Sequence, residues 1–317
     1  MKQATMKNLL RQLRWIVPAL LLTPSAKAQQ DPMYSMYMWN MMTIMPAYAG
    51  SADVLNATAL SRMQWTAIDG APVTQSLSAH APINSQTLGA GASLTYDHIG
   101  RSATTSLFGD LAYRIHVNHK TRLAFGLRLG FNHAQINSTE VQNTNPDDPT
   151  FEADQSGKIM PNFGFGVYLW SKRGYIGASV PKILRNYLGT TENDVGIITQ
   201  FSQEATHAFI TGGYVFPIGS VMFKPAFMLR ASEGAPPSMD ISANFLFMEK
   251  MWLGAAYRYG DSVTAIFSMQ ITDQLRGGYA YDFGISQFNA RSNGSHEIMI
   301  SYDPVFTRER VRSPRYF

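Results

Sequence analysis

Alternation with a period of two residues, sustained over segments of about ten, limits what this chain can fold into more than any other feature. From Arg122 to Asn132 the odd positions hold Leu123, Phe125, Leu127, Leu129 and Phe131. The even positions hold Arg122, Ala124, Gly126, Arg128, Gly130 and Asn132. A strand sorts residues this way, because successive side chains leave opposite faces of a pleated chain. The same division appears at Leu88, Ala90, Ala92, Leu94 and Tyr96 against Gly89, Gly91, Ser93, Thr95 and Asp97. It appears again at Leu275, Gly277, Tyr279, Tyr281 and Phe283 against Arg276, Gly278, Ala280 and Asp282.

About fourteen such segments follow one another: 54–62, 74–82, 88–97, 103–115, 121–133, 161–170, 174–180, 206–216, 220–230, 239–247, 250–259, 262–271, 274–283 and 295–303. Strands of roughly ten tilted residues match the hydrocarbon core of a membrane, whereas those of a soluble β-sandwich run nearer five or six. The connections separate the two cases. With the N-terminus on the periplasmic side, the connections after even-numbered segments are short, as at 83–87, 117–120, 171–173, 217–219, 248–249 and 272–273. Those after odd-numbered segments include the long ones: 63–73, 134–160, 181–205, 231–238 and 284–294. Short inner turns alternating with longer outer loops are a property of outer-membrane barrels. The fold expected is therefore all-β, a transmembrane β-barrel of about fourteen antiparallel strands over residues 54–303. Tyr96, Trp170, Tyr257, Tyr259 and Tyr281, near segment ends, suit the aromatic girdles at the membrane interfaces. Arg114, Arg122, Arg128, Arg258, Arg276, Asp97, Asp110 and Asp282 fall on the opposite phase and form a polar, partly charge-paired inner seam, which implies a wet or plugged interior.

Residues 1–28 read as a cleavable signal peptide: Lys2, Lys7, Arg11 and Arg14, then the apolar run Trp15 to Leu22, then Ala26-Lys27-Ala28. Five of the 26 Lys and Arg lie there, leaving 21 basic against 22 acidic residues in the remainder. The basic balance of the whole chain is thus a property of its export signal, and it gives no support to nucleic-acid binding. The chain has no cysteine, which excludes disulfides and thiolate metal sites.

Nothing in the sequence points to catalysis or to a cofactor. The closest histidine pair, His116 and His119, flanks a predicted turn at Val117-Asn118, with no reason for both to face one ion. No G-x-S-x-G nucleophile motif and no phosphate-cradling glycine loop is present. The expectation is a protein that is not an enzyme. Acidic residues collect in two outer loops, Glu140, Asp147, Asp148, Glu152 and Asp154 in one and Glu192, Asp194 and Glu204 in the next; solvated loops explain them more simply than a cation or partner site.

Two segments are not explained by a barrel wall. Residues 29–53 carry Met33, Met36, Met38, Met41, Met42 and Met45 with Tyr34, Tyr37, Trp39 and Tyr48. They suit a plug inside the barrel or a docking strip for another protein. Residues 304–317 form a periplasmic tail with Arg308, Arg310, Arg312 and Arg315 against Glu309, either a solvated tail or a strip for an acidic partner.

Three blocks carry a family resemblance. The first is Gln30-Asp31-Pro32 followed by Pro46-Ala47-Tyr48-Ala49-Gly50, the second is Arg62, Gln64 and Trp65 with Asp69-Gly70-Ala71-Pro72 and Thr74, and the third is Ser313-Pro314-Arg315-Tyr316-Phe317. In order and spacing they resemble the PorP/SprF proteins, outer-membrane components of the type IX secretion system of Bacteroidetes, although Met45 stands where an Asn is expected. The resemblance implies an outer-membrane barrel that works with periplasmic lipoprotein and ring components of a secretion and gliding machinery. It implies export or surface attachment of cargo with C-terminal secretion domains, such as large adhesins. The alternatives are a diffusion porin or specific solute transporter, and a structural barrel that displays its loops. Asp31, Pro46, Tyr48, Gly50, Arg62, Trp65, Asp69, Gly70 and Pro72 are the interface candidates, with Arg312 and Arg315 for a partner contact.

Overall fold

The computed structural model describes residues 31–84, 87–136, 155–186, 190–192, 198–200, 205–233, 235–286 and 292–304. Strands β1 (Asn56–Met63), β2 (Val73–Asn84), β3 (Leu88–Ile99), β4 (Ser102–Asn118), β5 (Thr121–Ile136), β6 (Gln155–Ser171) and β7 (Gly174–Val180) make the first half of the wall. A small separate hairpin follows, β8 (Thr190–Glu192) with β9 (Ile198–Gln200). The second half is β10 (His207–Tyr214), β11 (Phe216–Ile218), β12 (Val221–Ser232), β13 (Ala235–Phe247), β14 (Met251–Arg258), β15 (Ser262–Gln270), β16 (Leu275–Gly284) and β17 (Ser295–Tyr302).

Each wall strand pairs antiparallel with its neighbours in sequence, β10 pairs with β7, and β1 pairs with β17 from Ala57↔Tyr302 to Met63↔His296. Only Val215 separates β10 from β11, and both pair with β12, so they act as one wall strand. The wall among the described residues is thus a closed antiparallel barrel of fourteen strands. Closure leaves no edge with unpaired backbone groups, the condition for a sheet in lipid. In the three-residue connection between β13 and β14, Lys250 N donates to Phe247 O (3.0 Å) and both Met248 (φ 51°) and Glu249 (φ 57°) take the left-handed conformation, which fits the turn to the twist of its strands.

The alternation sets which face meets lipid. Leu127 and Leu129 are 67% and 70% exposed, while Arg128 between them is buried. The same holds around the ring, with exposed Leu, Ile and Phe outside and buried Arg, Asp, Asn, Ser and Thr inside. The molecule is inverted relative to a soluble protein, as a barrel solvated by acyl chains must be.

Three local readings are revised. β6 begins at Gln155, six residues before the predicted start at 161, and pairs with β5 as far as Ile136↔Gln155. β4 runs through the predicted turn at Val117-Asn118 to Asn118, and the chain reverses at His119-Lys120 instead. Trp170 is not a girdle residue: it is buried and stacks on Tyr168 inside the barrel, with centroids 5.3 Å apart. Both phases of 161–170 carry large apolar groups, and the inner one is marked by Gly164 and Gly166, with which Tyr168 and Trp170 are in step.

Leu127→Lys, placing a charge on the lipid face, is expected to cost about 2–4 kcal/mol of stability in lipid vesicles if Leu127 lies near the bilayer midplane. Denaturant unfolding of the vesicle-embedded protein measures this, and no loss would place Leu127 away from lipid.

Candidate functional site

Residues 31–53 fill the lumen. Tyr34, Met36, Tyr37, Met38, Trp39, Met41, Met42, Met45 and Ala47 are buried, and most join one cluster with inward wall residues such as Tyr168, Trp170, Trp252 and Met299. The segment cannot pair as a strand without a sheet edge to join, so it satisfies its backbone in two other ways. Three 3-10 turns, Tyr37–Trp39, Met41–Thr43 and Pro46–Tyr48, close local bonds such as Asn40 N to Tyr37 O at 3.0 Å and Tyr48 N to Met45 O at 3.0 Å. Pro46 opens the third turn, where a missing N–H costs nothing. The other backbone groups are met by side chains of the wall.

At the outer end, the Glu297 carboxylate accepts from the backbone N–H of Ser35 (2.9 Å) and of Met36 (2.7 Å). Arg62 lies between Asp282 (2.6 Å) and Glu297 (2.9 Å), and all three side chains are almost wholly buried. Ser35 Oγ accepts from Arg62 (3.1 Å) and donates to Asp282 (2.8 Å), and Thr264 Oγ1 also donates to Asp282 (2.7 Å). One cation and two anions are out of water here, and the extra anion is offset by two backbone N–H groups and two hydroxyls. Asp31 pairs with Lys182 (2.5 Å) and lies 3.3 Å from His207 Nδ1. Burial pushes the Asp31 carboxyl up, but Lys182 and His207 outweigh it and hold it below the usual carboxylate value.

Midway down, Arg128 is clamped by Asp110 (2.7 Å) and donates to the carbonyls of Thr43 (2.8 Å) and Met42. Ser179 Oγ donates to Ile44 O at 2.7 Å, and Asn40 bonds Ser76 and Ser78 at 3.0 Å each. Lys224 points between Trp39 and Trp252, 5.4 Å from each ring. At the periplasmic end Arg114 donates to Gly50 O (2.5 Å), Gly50 N donates to His80 Nδ1 (3.1 Å), and exposed Asp53 takes Arg122 at 2.7 Å. Gly50 has φ +72°, and an added Cβ would stand 2.7 Å from the Gly89 Cα, so this position requires glycine twice over. Gly126 lets the Pro46–Ala47 backbone lie directly on the wall, where a Cβ would overlap it. Other inward glycines, 91, 166, 177 and 278, receive the ends of Met42, Met45 and Met36.

The structure divides the candidate residues into two groups. Asp31, Pro46, Tyr48, Gly50 and Arg62 meet in the lumen, where Tyr48 packs edge-on against Tyr168 (5.5 Å) and His80 (5.1 Å). Trp65, Asp69, Gly70 and Pro72 lie in the first outer connection instead. Trp65 N donates to Ser295 Oγ (3.1 Å), Gln64 N donates to Pro72 O (2.9 Å), Gly100 N donates to Gly70 O (2.8 Å), and Asp69 is exposed. Arg312 and Arg315 lie outside the described residues. Sequence reading missed Glu297, Asp240, Lys224 and His80. Glu297 shares the inward phase of Ser295, Met299 and Ser301, so alternation could have found it. Asp240 pairs with Arg258 at 2.9 Å and stands on the inward phase too. Among the described residues no group of three His, Asp or Glu side chains gathers as metal ligands would.

The sequence model of the family described as "Type IX secretion system membrane protein PorP/SprF" matches residues 26–302. Among solved structures, the toluene transporter TbuX of Ralstonia pickettii aligns at 11% identity and a TM-score of 0.51, over 84% of this chain and 93% of its own. A FadL homologue of Pseudomonas aeruginosa aligns at 13% identity and 0.43, over 79% and 89%. TbuX supports the outer-membrane barrel fold and nothing further. Among curated proteins none matches.

Glu297→Ala, leaving the Ser35 and Met36 N–H groups and half of Arg62 unmatched, is expected to cost about 3–5 kcal/mol. Guanidinium unfolding in micelles measures the loss, and faster amide exchange confined to residues near 35–36 locates it. Gly126→Val is expected to push Pro46–Ala47 off the wall at a cost of about 1–3 kcal/mol, read in the same unfolding assay.

Proposed function

This chain belongs to the PorP/SprF family of type IX secretion membrane proteins and is an outer-membrane component of that machinery, and from this we propose that it supports export or surface attachment of cargo with C-terminal secretion domains, such as large adhesins, through protein contacts and without a chemical step. The observation that carries this reading is the lumen. A route for solutes needs open polar volume, whereas here the inward charges are spent on the chain's own residues 31–53: Arg62 and Glu297 on Ser35 and Met36, Arg128 on Met42 and Thr43, and Arg114 on Gly50. That use of the lumen favours an assembly role over the porin alternative.

In this reading the periplasmic lipoprotein and ring components meet the barrel at its short-turn end, where Asp53 and Arg122 reach the surface. The basic tail 304–317 extends the same side toward an acidic partner. Cargo engages the opposite end, where the first outer connection with Trp65, Asp69 and Gly70 is tied to its neighbours. A part in gliding follows only where the cargo is a motility adhesin.

Two measurements test the proposal. Purified full-length protein in a planar bilayer is expected to carry no large steady current, and deletion of its gene is expected to remove cargo with C-terminal secretion domains from the medium or cell surface. A large steady conductance with residues 31–53 in place, together with normal cargo release, would restore the porin reading.

A further inference from the structure

The lumen segment crosses the whole height of the barrel in one direction. Its Asp53 end lies at the short-turn rim beside Arg122, the second residue of β5, and only Val54 and Leu55 join it to β1. Gly50 is held by Arg114 and His80, toward the periplasmic ends of β4 and β2. Met42 and Thr43 sit at mid-wall on Arg128. Ser35 and Met36 reach Glu297, Arg62 and Asp282, close to the outer ends of β17, β1 and β16. Asp31 stands at the long-loop rim, paired with Lys182, two residues past the end of β7, and beside His207, the first residue of β10. Followed toward lower residue numbers, the chain enters the lumen at the periplasmic rim and leaves it at the outer one.

That direction fixes the side on which the exported chain begins. The wall is closed by the pairing of β1 with β17, so it gives the chain ahead of Asp31 no lateral way back to the periplasm. The apolar run of the export signal ends at Leu22, nine residues before Asp31. Nine residues reach at most roughly 30 Å, and the apolar band of a barrel wall takes up about 25 Å of that. An uncut chain with Asp31 in place therefore cannot keep Trp15 to Leu22 in a second membrane beneath the barrel. A filled lumen and an anchored export segment exclude each other. The outer end is also held as firmly as the rest, since Lys182 and His207, from the two sides of the long connection between β7 and β10, converge on the single Asp31 carboxylate. From this geometry we propose that the amino terminus created by removal of residues 1–28 emerges at the outer mouth and is displayed on the cell exterior. A partner that approaches the long-loop end meets this terminus, and any sequence fused ahead of Asp31 is presented on the cell surface. The proposal does not rest on the secretion role and stands or fails separately from it.

The absence of cysteine makes a direct test available. Intact cells that express the full chain with Gln30→Cys, treated with a membrane-impermeant maleimide, are expected to label it as readily as Asp69→Cys in the exposed first outer connection. Lys120→Cys, in the exposed turn between β4 and β5 at the periplasmic end, is expected to label only after the outer membrane is permeabilised. The intact mass of the purified protein is expected to lack residues 1–28. An epitope inserted between Gln30 and Asp31, which leaves every described contact of the segment in sequence, is expected to bind antibody on intact cells. Labelling of Gln30→Cys only after permeabilisation, no labelling under either condition, or a mass that retains Trp15 to Leu22 would each overturn the proposal.

Discussion

A closed wall with arginine and aspartate on its inner face must give those charges either water or partners, and because residues 31–53 take the place of water here, the rest of this molecule follows from how the partners are supplied. Among the buried arginines, Arg62, Arg128 and Arg258 are held by acids from the wall, and Arg62 and Arg128 are then turned on the lumen segment. Arg128 is fixed by Asp110 before it reaches the carbonyls of residues 42 and 43, and Arg62 is fixed by Asp282 and Glu297 beside Ser35. Without residues 31–53, the Glu297 oxygens would lose two N–H donors and Arg128 two acceptors. In a low-dielectric interior, such vacancies cost several kcal/mol each.

The wall recognises the segment mostly through its backbone. Glu297, Arg128, Ser179, Arg114 and His80 all bind main-chain N–H or C=O groups, while glycines accept flexible Met side chains. This division suits a segment that cannot form a strand. Its turns leave scattered backbone groups that only side chains can reach, and the unbranched thioethers fill the irregular spaces that remain. The outcome is a barrel whose inner surface is occupied, and whose remaining means of acting are its two ends and its outer wall.

Strand positions, the membrane-spanning character and the inner face were legible in the sequence, because a period of two in hydrophobicity is itself the physical signal of a wall with lipid on one side. The reading failed where that signal weakened. The first residues of β6 and the last of β4 lie beyond the hydrophobic alternation, so their strand character comes from pairing alone. Trp170 is apolar on a phase that could have faced either way, and only its step with Gly164 and Gly166 marks it as inward.

The sequence by itself determined a barrel of about fourteen strands, a polar lumen, and an N-terminal segment too rich in Met and aromatic residues to be free in solvent. Periodicity and composition are local properties, and they suffice for those conclusions. Tertiary structure alone decided that Ser35 meets Glu297, that Pro46–Ala47 rests on Gly126, and that Arg62 joins the lumen while Asp69 to Pro72 belong to an outer turn. Those pairings join residues up to 262 positions apart. Barrel register and closure set them, and neither leaves a trace in the residues on only one side of the contact.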